Sequence, residues 1–551
     1  MNPLKQMVQL ALALSPAFLF LSVQAQDPKV ATGKEIMIVA HPLAAKAGLW
    51  IHEQGGNVVD VAVATAYALG VVEPHRSGIG GEGMMLIHDA ATRTSTIIDF
   101  KSIAPKLASY ENLDFENIAS WSKTAKGASV PGAVAGLEQA RERFGRLDRK
   151  IVLQPAVDLA LNGFAVDSTL SARLKASEST LMKDPYSART FYPDGAIPQP
   201  GTMLMNHDYG ISLKEIQANG AKAFYTGTIA DRIVKDAQNH GGFITKEDLQ
   251  AYRAIIREPL RGSYGGMEII TSPPPCGGMH LLEALNILKH FDLKAARANN
   301  DYHLHLLAET FKLVFRDERT HNADPDFASV PEARVTSEAF AFQRFLEIDL
   351  GSARHGAKVR PGELEMKHTT HLSVMDAEGN AVALTITLSS LFGTAHTVEG
   401  AGFLLNNEMQ NYDPDPHAAN ALQPHKRVVT SLVPTILARA GRPVAVMGLP
   451  GGDAIISTMT QVIVNLLDFG MDLQTAIASP RVFTIHSQRV LEIERPVAEK
   501  TKALLRSLGH DLEESGRSAY FGVVQAAQRD ERTGLLLGVS DERRSGAAIG
   551  K

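Results

Sequence analysis

The sequence predicts an α/β (α+β) fold, and three observations predict it. Helix-period apolar runs crowd the first two thirds of the chain, at residues 44–54, 58–72 and 301–319. Period-two runs follow from Thr369, where residues 369–375 and 380–390 flank Asp376-Ala377-Glu378-Gly379, a hairpin signal. Glycine- and proline-rich turns join strand-like runs to helix-like ones, at Ser272-Pro273-Pro274-Pro275-Cys276-Gly277-Gly278 and at Pro450-Gly451-Gly452-Asp453.

The elements follow in order. Residues 36–39 form a short strand. A helix at 44–54 is closed by Gly55-Gly56-Asn57, and a second, Ala- and Val-rich helix at 58–72 is buried on all sides. Gly78, Gly80 and Gly83 spell G-x-G-x-x-G, yet they follow a helix and open a strand at 84–88. A dinucleotide-binding loop needs the opposite order, so these glycines predict a tight turn against other backbone. A strand at 95–100 pairs with 84–88. Val130-Pro131-Gly132 turns into a helix ending at Phe144, residues 154–162 form a helix stopped by Gly163, and 167–245 is mostly helical. One strand is expected at 264–271 and a helix at 279–289. On the helix at 301–319, Leu304, Leu307, Ala308, Phe311, Val314 and Phe315 share a face. His303 and His305 lie two apart on it and read as ordinary helix residues. A helix from 338 decays into a polar connector at 351–365. In the strand at 380–390, Val382, Leu384, Ile386 and Leu388 occupy one face. Ala381, Ala383, Thr385, Thr387 and Ser389 occupy the other, a small, hydroxyl-bearing face that suits the wall of a site. Further strands are expected at 402–407, 428–437 and 443–448, and a helix at 454–467.

A length of 551 residues allows a large core, and 44% apolar with 21% charged residues is ordinary globular composition. A net charge of −5 argues against nucleic acid as the main partner. Cys276 is the one cysteine, which excludes an intrachain disulfide and cysteine-based zinc motifs. The 19 histidines form no H-E-x-x-H or similar cluster, so neither a metal nor another cofactor is expected. Lys5, the apolar run from Val8 to Val23 and the small-x-small site Val23-Gln24-Ala25 read as a signal peptide, residues 1–25. Pro16 and the short run argue against a membrane anchor, so the expected product is periplasmic or secreted, with no membrane span once the signal is removed.

The chemistry centres on Lys367-His368-Thr369-Thr370-His371. Cleavage between His368 and Thr369 would expose a threonine whose α-amine, with a reference pKa near 8, can act as base for its own hydroxyl. The plain alternative is a β-branched pair opening a strand. Gly451 and Gly452 precede a helix, where unpaired N–H groups and the helix dipole favour developing negative charge. They read equally as a turn or as an oxyanion hole.

Several ordered stretches carry a family resemblance. They include Gly55-Gly56-Asn57-Val58-Val59-Asp60, residues 77–83, Val130-Pro131-Gly132, residues 242–249, Asp324-Pro325-Asp326-Phe327, Thr369-Thr370-His371, Leu405-Asn406-Asn407-Glu408-Met409 and Pro450-Gly451-Gly452. Over nearly the whole mature chain the sequence resembles γ-glutamyltransferase (γ-glutamyltranspeptidase, glutathione hydrolase) proenzymes. The resemblance implies a four-layer αββα N-terminal nucleophile hydrolase fold. It implies autocleavage into residues 26–368 and 369–551, which stay together as a heterodimer. It makes Thr369 the nucleophile, Thr387 the hydrogen-bond partner of the new α-amine, and Gly451 and Gly452 the oxyanion hole.

The substrate end departs from that family. Lys101 stands where the family has a carboxylate-binding arginine, keeping charge but losing the bidentate fork. Asn411 replaces the acid that pairs the substrate ammonium, while Glu408 retains a carboxylate nearby. Ser389 replaces an asparagine, and Thr430-Ser431 replaces a serine pair. The leading expectation is hydrolysis of γ-glutamyl amides such as glutathione, or transfer of the acyl group to amino acids or peptides. The alternatives are an amidase for amino-free, glutaryl-type acyl groups, as in the cephalosporin-acylase-like branch, and an uncleaved, non-catalytic binding protein.

Overall fold

A computed structural model describes residues 27–354, 369–485, 490–516 and 519–551. The predicted signal peptide, the connector from residue 355 and His368 lie outside the described residues.

Two seven-stranded antiparallel sheets form the centre. The first runs, edge to edge, Ala547–Gly550, Ile36–Ala40, Thr369–Asp376, Ala381–Thr387, Glu82–Asp89, Thr94–Phe100 and Ile255–Arg257. The second runs Val30–Gly33, Leu536–Ser540, Gln525–Arg529, Arg442–Gly448, Thr435–Arg439, Met267–Thr271 and Leu260–Tyr264. The fold is α+β, with helices on the outer face of each sheet. Alternation along the strands explains the arrangement, because successive side chains point to opposite faces. Leu372, Val374, Val382, Leu384 and Ile386 join the core formed with helices Pro42–Glu53, Val58–Val72, Ala133–Phe144 and Arg149–Asn162. Met37, Val39, Met84, Leu86, Met375 and Ala383 point the other way. They share a core with Ile436, Val446, Ala526 and helices Gly278–Leu288, Asp301–His321 and Ala454–Leu467.

Helix Val58–Val72 has the predicted bounds and every residue buried. Its start is fixed chemically: the Asn57 side chain accepts from the N–H groups of Val59 and Asp60, and the Asp60 carboxylate accepts from Asn57 N and Arg146 N. The glycine stretch is the close-packed turn that its order predicts. A Cβ at Gly80 would lie 2.1 Å from Leu404 O, and one at Gly81 2.4 Å from Thr387 O.

Several expectations are corrected. The single strand at 264–271 is a hairpin, Leu260–Tyr264 and Met267–Thr271, because Gly265 and Gly266 both take positive φ and turn the chain. The helix at 154–162 begins five residues earlier, at Arg149, capped by Asp148. Residues 402–407 make only a Thr397–Leu404 bridge, since Gly400 and Gly402 adopt positive φ and the Asn406 side chain bonds Gly80 and Ser129 carbonyls. The strand at 428–437 shrinks to Thr435–Arg439: Pro434 has no N–H, and Thr430 N is spent on Pro275 O. The helix from 338 ends at Phe345.

Candidate active site

Thr369 opens the third strand of the first sheet and is buried. Register sets Thr369 opposite Thr387 and Thr387 opposite Glu82, a row across three strands whose side chains share the face toward the second sheet. The Thr369 hydroxyl donates to Thr387 Oγ1 at 3.2 Å, and Ser389 N donates to the same oxygen at 2.8 Å. Two residues along the strand, His371 continues this face. Its Nδ1 lies 2.8 Å from Thr385 Oγ1 and its Nε2 3.1 Å from Ser373 Oγ, while Ser373 donates to Gln525 O. Ser373 spends its proton on that carbonyl, so Nε2 carries the imidazole hydrogen. Burial holds the ring neutral, with its pKa pushed down to about 3.

The His371 ring lies where a Cβ on Gly448 would be, 2.2 Å from its Cε1, so the end of Arg442–Gly448 rests on it. Three residues later come Gly451 and Gly452, the latter at φ +57°, and helix Ala454–Leu467. Among the described residues neither glycine N–H donates to a protein acceptor. They sit at a helix start with their donors unspent, as an oxyanion hole requires.

The predicted substrate residues gather in two groups. Lys101 Nζ contacts Glu82 Oε1 and donates to Thr430 Oγ1 at 3.0 Å. The other Glu82 oxygen accepts from Ser102 N and Ser102 Oγ, at 2.7 and 2.5 Å. Burial pushes the Lys101 ammonium toward neutrality, but Glu82 and then Glu408 more than offset this, and its pKa is raised. In the second group, Asn411 Nδ2 donates to Glu408 Oε2 at 2.5 Å and to Ser389 Oγ at 3.0 Å. Ser389 holds φ +74°, and Gln410 bonds Ser390 beside it at 2.7 Å. Ser431 is half-buried next to Thr430, with its backbone against Gly277.

Sequence patterning alone misses Glu82 and His371 as site residues. Glu82 carries a signal, a lone carboxylate opening the apolar run Met84–Ile87 behind a glycine turn. His371 carries none beyond its place in the motif. Two ligand-type clusters form among the described residues, Asp236/His240/His396 and His305/Glu309/His510. Their atoms are already engaged: Glu309 accepts from Lys312 and from Arg354 N, and His396 bonds Asp236 and Asp184.

Fold and site together describe an α+β enzyme with a buried row of hydroxyl side chains on adjacent strands. The Gamma-glutamyltranspeptidase family profile matches residues 44–551, and the chain belongs to that family. It is 36% identical over 546 residues to a glutathione hydrolase proenzyme of Bacillus subtilis (strain 168), covering 95% of this chain and 92% of that one. It is 40% identical over 509 residues to the acylase ACY 1 proenzyme of Pseudomonas sp. (strain V22), covering 90% of each. Among solved structures, a cephalosporin acylase from Bacillus halodurans matches with a TM-score of 0.86 at 28% identity, covering 97% of this chain and 98% of that one.

Proposed function

We propose that this chain is an exported, autoprocessing N-terminal threonine hydrolase and acyltransferase. The helix–sheet–sheet–helix order supports reading the fold as the four-layer αββα sandwich of N-terminal nucleophile hydrolases. Residues 1–25 are the signal peptide, and the product is periplasmic or secreted. The Thr369 hydroxyl attacks the His368 carbonyl, and water opens the resulting ester, leaving residues 26–368 and 369–551 as a noncovalent pair. In turnover the freed α-amine, positioned by Thr387, takes the hydroxyl proton as Thr369 attacks an acyl amide. The N–H groups of Gly451 and Gly452 receive the oxyanion. The amine leaves, and water or an acceptor amine takes the acyl group. The observation that carries this reading is the Thr369–Thr387 hydroxyl pair at 3.2 Å in a family whose relatives are proenzymes.

For the acyl group, the leading reading is γ-glutamyl. Lys101 is already paired with Glu82, and the Glu408 carboxylate, buried and contacted by Asn411, supports the reading as an acceptor for a substrate ammonium. The second reading, an amino-free glutaryl-type acyl group, is favoured by Asn411, which brings no charge of its own. Rates on γ-glutamyl and glutaryl anilides, compared side by side, decide between them. A large preference for the glutaryl compound would overturn the leading reading.

A further inference from the structure

On the opposite face of the nucleophile strand lies a cluster that the acyl-transfer chemistry does not use. The Thr370 hydroxyl donates to Glu73 Oε2 at 2.6 Å, and Arg76 Nη1 donates to Glu73 Oε1 at 2.5 Å. Arg76 is 2% exposed, and its Nε and Nη2 are buried without a hydrogen-bond partner. Arg173 Nε and Arg544 Nε and Nη1 are buried and unpartnered as well. The fold brings these side chains together. Thr169 and Arg173 share a face of helix Ser168–Leu181, and Ser545, next to Arg544, donates to Thr169 Oγ1 at 3.0 Å. The charges act on one another: burial and then Arg76 lower the pKa of Arg173, and burial, then Arg76, lowers that of Arg544 well below the usual range.

Counter-charge is short. Glu73 is shared with Thr370, Asp541 is engaged by Arg481 and Arg543, and Asp167 faces His41. Among the described residues neither Arg173 nor Arg544 has a carboxylate within ion-pair distance. Buried guanidinium N–H groups left unmatched are costly, and the unspent donors of Arg76, Arg173 and Arg544 suit an acceptor of several charged oxygens. We propose that Arg76, Arg173 and Arg544 form an anion site behind Thr370 that takes a small oxyanion or dicarboxylate from solution.

The test uses the purified wild-type protein, titrated with inorganic phosphate and separately with glutarate, against sodium chloride at matched ionic strength. Calorimetry and thermal unfolding are read together. Saturable binding with a rise in Tm is expected for at least one of the two, and which one binds separates an inorganic oxyanion from a dicarboxylate. Arg173→Gln and Arg544→Gln should each weaken binding roughly tenfold or more, the scale of a lost charge-assisted contact. Without added anion their Tm should hold or rise, because one of several neighbouring like charges is gone. No saturable binding of either probe to wild type overturns the proposal, as does binding that both variants leave unchanged.

Discussion

Lys101 and Glu82 form an ion pair in which both side chains are fully buried. The lysine is therefore not a bare cation waiting for a carboxylate. Removing it strands a carboxylate whose remaining partner among the described residues is Ser102. Breaking a buried pair from one side costs about 3–5 kcal/mol. Lys101→Ala should lower unfolding stability by about that amount in urea, and Lys101→Ala with Glu82→Gln should recover much of it. A double variant no more stable than the single one would show that the pair is not the source of the loss.

Processing is read on a denaturing gel. Wild-type protein should run as two bands, and Thr369→Ala as one. Thr387→Val removes the hydroxyl that accepts from Thr369 and should slow both processing and turnover, by roughly a hundredfold for a lost general-base support. An unprocessed wild-type band with full amidase activity would defeat the nucleophile assignment.

Gly452 sits at φ +57°, where a Cβ costs about 1–2 kcal/mol per residue. Gly452→Ala should fold with a small loss of stability but redirect the N–H groups of the turn. Steady-state kinetics should then show kcat down by roughly 10²–10³, the scale of one lost oxyanion donor, with a smaller change in KM.

His396 lies between Asp184, 3.0 Å from Nδ1, and Asp236, 2.8 Å from Nε2. Burial alone would lower its pKa, but the two carboxylates outweigh burial and raise it to about 9. A raised pKa contributes stability that is complete below the unfolded value near 6.5 and is lost as pH climbs through about 9. The difference corresponds to roughly 3 kcal/mol. The imidazole ties the loop carrying Ser389 and Ser390 to helix Thr228–Asn239. Unfolding free energy should therefore fall between pH 7 and 9.5 in wild type, and His396→Gln should flatten that slope.

Much of the framework is legible in the sequence because its signals are local. Helix Val58–Val72 has a strong cap at Asn57 and takes the bounds its pattern implies. The hairpin from Thr369 takes the implied faces as far as Thr387, three residues short of the expected end, because Ser389 turns away at φ +74°. The misses share a cause in tertiary demand. Nothing local tells that Thr430 N will bond Pro275 O, or that Gly402 is pressed against Tyr209 N at 2.3 Å from its would-be Cβ. At the site, hydroxyl residue types point to the Thr369–Thr387 row, but the partner of Lys101 lies 19 positions away and depends on register between strands. Spacing along the chain does not encode that distance.

The order of strands in the first sheet bears on how such a molecule must be made. Thr369–Asp376 and Ala381–Thr387 are flanked by Ile36–Ala40 on one side and Glu82–Asp89 on the other, and in the second sheet four late strands lie between Val30–Gly33 and Met267–Thr271. Neither segment owns a complete sheet. Made as separate polypeptides, each would present long unpaired strand edges, which are templates for aggregation. Assembly therefore belongs to the intact chain, and any cut before Thr369 comes as a late event performed on a finished scaffold.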